Sequence, residues 1–175
     1  MTPCVSLIIW RWVESGDIEV LLALRSAFQY DDPSRVQPQD FCGGWQIFPS
    51  GKLGGDEGSP LHAAWSKLRD DGGVMAMIGL KALVGSNPAR LRQVDQNCFA
   101  IEIKESDNFD GDSDFLNLVN LSPNYTLVAW KPLGEILNFN DLALYRNGVP
   151  KGVKAIFKDQ LDLIKKLADQ VRRTG

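Results

Sequence analysis

Histidine occurs once in this chain, at His62. A site needing two imidazoles, such as the H-E-x-x-H zinc site, is therefore excluded, and a serine–histidine–aspartate triad is disfavoured. Cysteine is scarce as well. Cys4, Cys42 and Cys98 are an odd set with no short metal-ligand spacing. They argue against a disulfide framework and for a reducing, cytoplasmic setting. No apolar run approaches the length needed to cross a membrane. The opening "MTPCVSLIIWRW" lacks the basic n-region of a signal peptide and is read as a first strand. A net charge of −3 leaves no broad basic surface, so neither a nucleic acid nor a membrane is expected as a partner. Carboxylates must carry most of any chemistry.

What is present fits one globular domain spanning residues 1–175. "VSLIIWRWV" and "IEVLLALRS" read as two strands joined by the turn "ESGD", a hairpin. The stretch from Phe28 to Gly44 is rich in proline and polar residues and reads as a long irregular loop. "WQIFP" is a short strand, and Ser50 to Gly58 reads as loop. Ser59 and Pro60 fit an N-cap followed by proline at the first helical position. Leu61, Ala64, Trp65 and Leu68 then form an apolar helical face, and Gly72 and Gly73 end the helix. "VMAMIGLKALVG", "CFAIEIKE" and "YTLVAWKPL" are expected as strands, and the segment from Gly152 to Arg173 as an amphipathic helix with Ile156, Leu161, Ile164, Leu167 and Val171 inward. The order predicts an α/β (α+β) sandwich, a mixed sheet with helices on its faces.

The stretch "GKLGGDEGSPLHAAWSKLRDDGGV", Gly51 to Val74, holds the most chemistry. Asp70 and Asp71 fall in the last turn of the predicted helix, where the macrodipole is negative and each acid costs about 0.3–1 kcal/mol. Bound Mg²⁺ or Mn²⁺ would explain them, with Glu57 as a third oxygen ligand. Lys67, three residues before Asp70 and four before Asp71, allows the plainer reading of ion pairs on a solvated helix face. Lys67, Arg25 and Lys52 are also candidates for meeting a phosphorylated ligand. Asp110, Asp112 and Asp114 have the alternate spacing of a calcium loop, but Phe115 stands where that loop needs glycine, so a solvated loop is the better reading. Glu102 could face the site from across the sheet, but a solvent-facing member of the strand alternation is the better reading. Trp45 and Phe48 could stack on a base but fit core positions.

The same stretch resembles a Nudix box, G-x5-E-x7-R-E-U-x-E-E-x-G-U. The preceding "VLLALR" and "GGWQIFPSGKL" are similar to the segment before the box in that family, and "LVAWKPLGEI" to its late strand and turn. The resemblance implies a Nudix-like α/β/α sandwich and a nucleotide-like small-molecule substrate, with the protein a monomer or homodimer. It also implies a metal held by Glu57, Asp70 and Asp71, one acid orienting the attacking water. The box is degenerate. Gly51 and Glu57 keep their spacing, and Leu68, Gly73 and Val74 match. The arginine and first glutamate fall on Ser66 and Lys67, and the paired glutamates on Asp70 and Asp71. An ammonium ~4 Å from a metal costs about 4 kcal/mol per metal charge at an effective dielectric of 20. The expected activity is therefore weak hydrolysis of a nucleoside diphosphate linked to another group. The alternative is a Nudix-like domain that binds a phosphorylated ligand or a protein without cleaving.

Overall fold

Alternate residues of the first strand enter opposite cores. In β1 (Cys4–Trp12), Val5, Leu7 and Ile9 join one cluster, while Ile8 and Trp10 join the other. The same division runs through β2 (Ile18–Arg25), where Leu21 and Ala23 face one way and Ile18, Val20 and Leu22 the other. A sheet buried on both faces needs strands that are apolar throughout, as both of these are. The computed structural model describes residues 4–54, 58–109 and 111–174.

β1 and β2 form the expected antiparallel hairpin, with Trp10 opposite Val20. Within the long loop, β3 (Phe28–Gln29) and β4 (Gln37–Pro38) make only a two-stranded ribbon. β5 (Trp45–Ile47) pairs with β2, the Phe48–Pro49 peptide is cis, and β6 (Ser50–Lys52) pairs with β1. The segment read as loop after Pro49 thus begins as a strand, because its backbone groups meet the free edge of Cys4 to Ser6.

α1 (Pro60–Gly72) starts and stops where the sequence placed it. Ser59 Oγ accepts from the His62 amide at 3.2 Å, and Gly73 caps the helix with φ 93°. Ala64, Trp65 and Leu68 enter the first core, with Leu61 packed at its margin. The next segment corrects the sequence reading. Val74 to Gly85 was expected as a strand and is instead helical, α2 (Val74–Ser86). Its run is apolar on every side, so periodicity does not separate strand from helix. Alanine, methionine, leucine and lysine favour the helix. Packing then buries Ala76 and Leu80, four residues apart, and leaves Val74, Met75 and Ile78 exposed.

β7 (Leu91–Asp95), not foreseen in the sequence, forms a hairpin with β8 (Cys98–Glu102), which lies parallel to β1. β9 (Tyr125–Pro132) pairs with β2 along its length and runs into the short α3 (Leu133–Ile136). β10 (Asn140–Asp141) and β11 (Ala155–Ile156) close one edge, and α4 (Lys158–Thr174) covers the second core with Ile164, Leu167 and Val171. Ile156, read as helical, is buried in β11. The result is a mixed sheet with α1 and α2 on one face and α4 on the other. Among the described residues, no helix is long and apolar enough to cross a membrane.

Candidate functional site

The candidate site follows from where α1 crosses the start of β6. Lys67 is half-buried, and its stem lies along Gly51. A Cβ built at Gly51 would stand 3.1 Å from Lys67 Cε and 3.5 Å from Nζ. Glycine at this position therefore leaves room for the lysine, and the ammonium reaches the strand that leads into the glycine-rich loop. Four residues on, Asp71 is half-buried at the end of α1. Its Oδ2 accepts from Tyr125 Oη at 3.4 Å.

Tyr125 belongs to a part-buried chain of polar groups. Arg25 Nη1 donates to Gln46 Oε1 at 2.7 Å, Gln46 Nε2 donates to Tyr125 Oη at 2.9 Å, and Tyr125 donates to Asp71. Every link points the same way, from the guanidinium to the carboxylate. Ser50 and Gln160 complete the set. Gln160 Nε2 donates to Ser50 Oγ at 3.1 Å, and its Oε1 accepts from the Ile47 amide at 2.9 Å, which ties α4 to the same place. Arg25 also donates to the Asp40 carbonyl from Nε and Nη2, at 3.3 and 2.9 Å, so it pins the end of the long loop.

Electrostatics follow the burial. Loss of solvent pushes the Asp71 carboxyl up to about 7; the Lys67 ammonium pulls it down, and Asp70 pushes it up again. Burial also raises the Tyr125 phenol above its ordinary range, with the Asp71 charge acting in the same direction. Burial lowers the Arg25 pKa from its ordinary value.

The structure brings Lys67 and Asp71 close enough for their charges to interact and joins Arg25 to Asp71 through Gln46 and Tyr125. It separates Asp70, which is exposed and pairs with its neighbour Arg69 at 3.3 Å. Lys52 is exposed at the end of β6, opposite Cys4. Glu57, expected as a metal ligand, and Asp110 lie outside the described residues. Asp112 and Asp114 serve their own loop: Asp112 accepts from Asn117 Nδ2 at 3.0 Å, and Asp114 accepts from the Leu116 amide at 3.0 Å. Glu102 does not face the site from across the sheet. It pairs with Trp10, towards the far end of β1 from the Cys4–Ser6 segment that binds β6. Trp45 and Phe48 are buried core residues, one in each cluster.

A divalent ion fits this donor set poorly. Among the described residues no three acidic, histidine or cysteine side chains converge. Asp70 and Asp71 turn to different partners, and Lys67 fills the space against Gly51. Tyr125, Gln46, Ser50 and Gln160 were not singled out in the sequence. Gln46 and Ser50 carried one signal, polar side chains flanking an apolar strand core, while Gln160 is indistinguishable from any polar helix residue.

No family model and no curated protein matches the chain. Solved structures do. An Ap4A hydrolase of C. elegans, crystallised as a binary complex, superposes with a TM-score of 0.51 at 13% identity over 99% of both chains. A protein of Listeria monocytogenes described as a NUDIX hydrolase gives 0.52 at 12% identity over 99% of this chain and 97% of its own. The C-terminal domain of mouse MUTYH, crystallised with human PCNA, gives 0.51 at 13% identity, covering 97% of this chain and 88% of its own. At such identities the likeness establishes architecture. The chain has the Nudix fold.

Proposed function

We propose that the protein binds a nucleoside diphosphate linked to another group beside Lys67 and Asp71 and hydrolyses it slowly, as a Nudix-type phosphohydrolase with a degraded box. The observation that carries this reading is the pairing of Lys67, laid on Gly51, with the half-buried Asp71 one turn later. The ammonium offers a point charge to a phosphoryl oxygen. Asp71, with a carboxyl titrating at about 7, can accept a proton from a water at neutral pH. Tyr125 and Gln46 hold that carboxyl in place. The hydrolase assignment of two fold neighbours, one of them for Ap4A, supports the substrate class.

Binding without cleavage is favoured by a specific observation as well: Asp70 and Asp71 diverge where a metal would need them together. One fold neighbour was crystallised with a protein partner, so a ligand-binding or interaction role is compatible with the architecture. The test is phosphate release from a panel of dinucleoside polyphosphates, nucleotide sugars and nucleoside triphosphates, with Mg²⁺ or Mn²⁺, beside calorimetric binding of the same compounds. Slow turnover abolished by Asp71→Asn supports the enzyme. Binding that is lost in Lys67→Ala, with no turnover, supports the binding domain. Neither binding nor turnover defeats both.

A further inference from the structure

At the end of the sheet away from Lys67, the β1–β2 turn, the segment after β8 and Trp130, late in β9, enclose a groove of about 920 Å³. Glu14, Glu19, Glu102, Glu105 and Asp114 line it, against the cations Arg11 and Lys104. The acidic excess of three makes the groove locally negative. Two indoles, Trp12 and Trp130, form part of the wall.

Arg11 shows how this groove holds a cation. Its guanidinium is 3.0 Å from Glu19 Oε1 and lies 4.2 Å from the centre of the Trp130 ring. Trp12 offers a second indole, 39% exposed and set edge-on to Trp10 at 5.5 Å. The backbone that carries Glu102 and Lys104 is tied down. Arg90 grips Asp107 through two bonds of 2.7 and 2.9 Å and also donates to the Glu102 carbonyl at 3.1 Å. Asp107 accepts in turn from the Lys104 amide at 2.7 Å. A backbone held this way loses little entropy when something docks against it.

We propose that this groove docks a basic, arginine-bearing segment of a partner protein. One arginine of that segment lies on Trp12 between Glu14 and Glu102, as Arg11 lies on Trp130 beside Glu19. The charge excess supplies attraction, and the indole supplies the preference for a planar guanidinium. Neither Lys67 nor Asp71 lines the groove, so the proposal stands whether or not a ligand is cleaved beside them.

The experiment titrates the full chain with a short alternating glycine–arginine peptide, its glycine–glutamate counterpart and spermine, by calorimetry and tryptophan fluorescence. The arginine peptide is expected to bind with one-to-one stoichiometry, to weaken with salt, and to quench fluorescence. Glu14→Gln with Glu102→Gln is expected to lower affinity about tenfold or more, and Trp12→Ala by a similar factor. The charge-matched pair Asp162→Asn with Asp169→Asn, on α4, should leave it unchanged. Failure of the arginine peptide to bind at low salt would overturn the proposal. So would equal losses in the groove and α4 variants, or spermine binding as tightly as the peptide, which would reduce the groove to a sink for any polycation.

Discussion

Asp71 is where opposing forces on a single residue become measurable. Its carboxyl, raised from 3.8 in the open chain to about 7 in the fold, binds a proton more tightly when folded. Folding stability contributed by this group is therefore greatest below about 4 and declines as pH rises towards about 7. Asp71→Asn is expected to flatten that decline and to leave the variant more stable than the parent above neutrality. Urea unfolding midpoints across the acid-to-neutral range check the slope; an unchanged profile would mean that the carboxyl is solvated. Tyr125 supports the same residue. Tyr125→Phe removes the donor to Asp71 and the acceptor for Gln46 and is expected to cost about 1–3 kcal/mol, read by denaturant titration. Lys67 is expected to oppose metal binding. Divalent binding to the parent chain is expected to be weak, and Lys67→Glu should strengthen it by replacing a cation with a carboxylate. Calorimetry with Mn²⁺ decides; tight binding by the parent would show that Lys67 turns away from the metal in solution.

Among the elements, α1 was legible in detail and α2 was not. The start of α1 is set by Ser59 and Pro60, its buried face by Ala64, Trp65 and Leu68, and its end by a glycine with positive φ. Each of these is a local property of the sequence. Leu68 is fully buried, so Leu68→Ala is expected to destabilise by about 2–5 kcal/mol in thermal or urea unfolding. Gly73→Ala should destabilise too, since its φ of 93° is a region that side chains avoid and a new Cβ would meet Asn120 Cβ at 3.0 Å. α2 has no such signals. Its N-terminal boundary is that same glycine, with no side-chain cap, and its residues are apolar all round. Contact with the loop that carries Phe109 and Leu118 decides which side is covered: a Cβ at Gly79 would come within 2.9 Å of Leu118.

In the molecule as a whole, one sheet separates two cores. Neighbours in β2 report on opposite cores, because Leu21 packs beneath α1 and α2 and Leu22 beneath α4. Leu21→Ala and Leu22→Ala are each expected to lose about 2–5 kcal/mol while leaving a single cooperative transition, since both cores share the same strands. Coincident unfolding curves from tryptophan fluorescence and circular dichroism check this. Separate transitions in either variant would show that the two layers fold apart.

By itself the sequence determined the apolar strands, the capped helix α1, the amphipathic α4 and the place of Lys67 one turn before Asp71. All of these depend on residue type and short spacing. The tertiary structure alone decided that Asp70 and Asp71 part company, that Lys67 lies on Gly51, and that Arg25 reaches Asp71 through Gln46 and Tyr125. Those four residues come from β2, β5, β9 and α1. Residues 25, 46, 71 and 125 meet only because the sheet pairs β2 with both β5 and β9 and lays α1 across its face, a juxtaposition that no local pattern encodes.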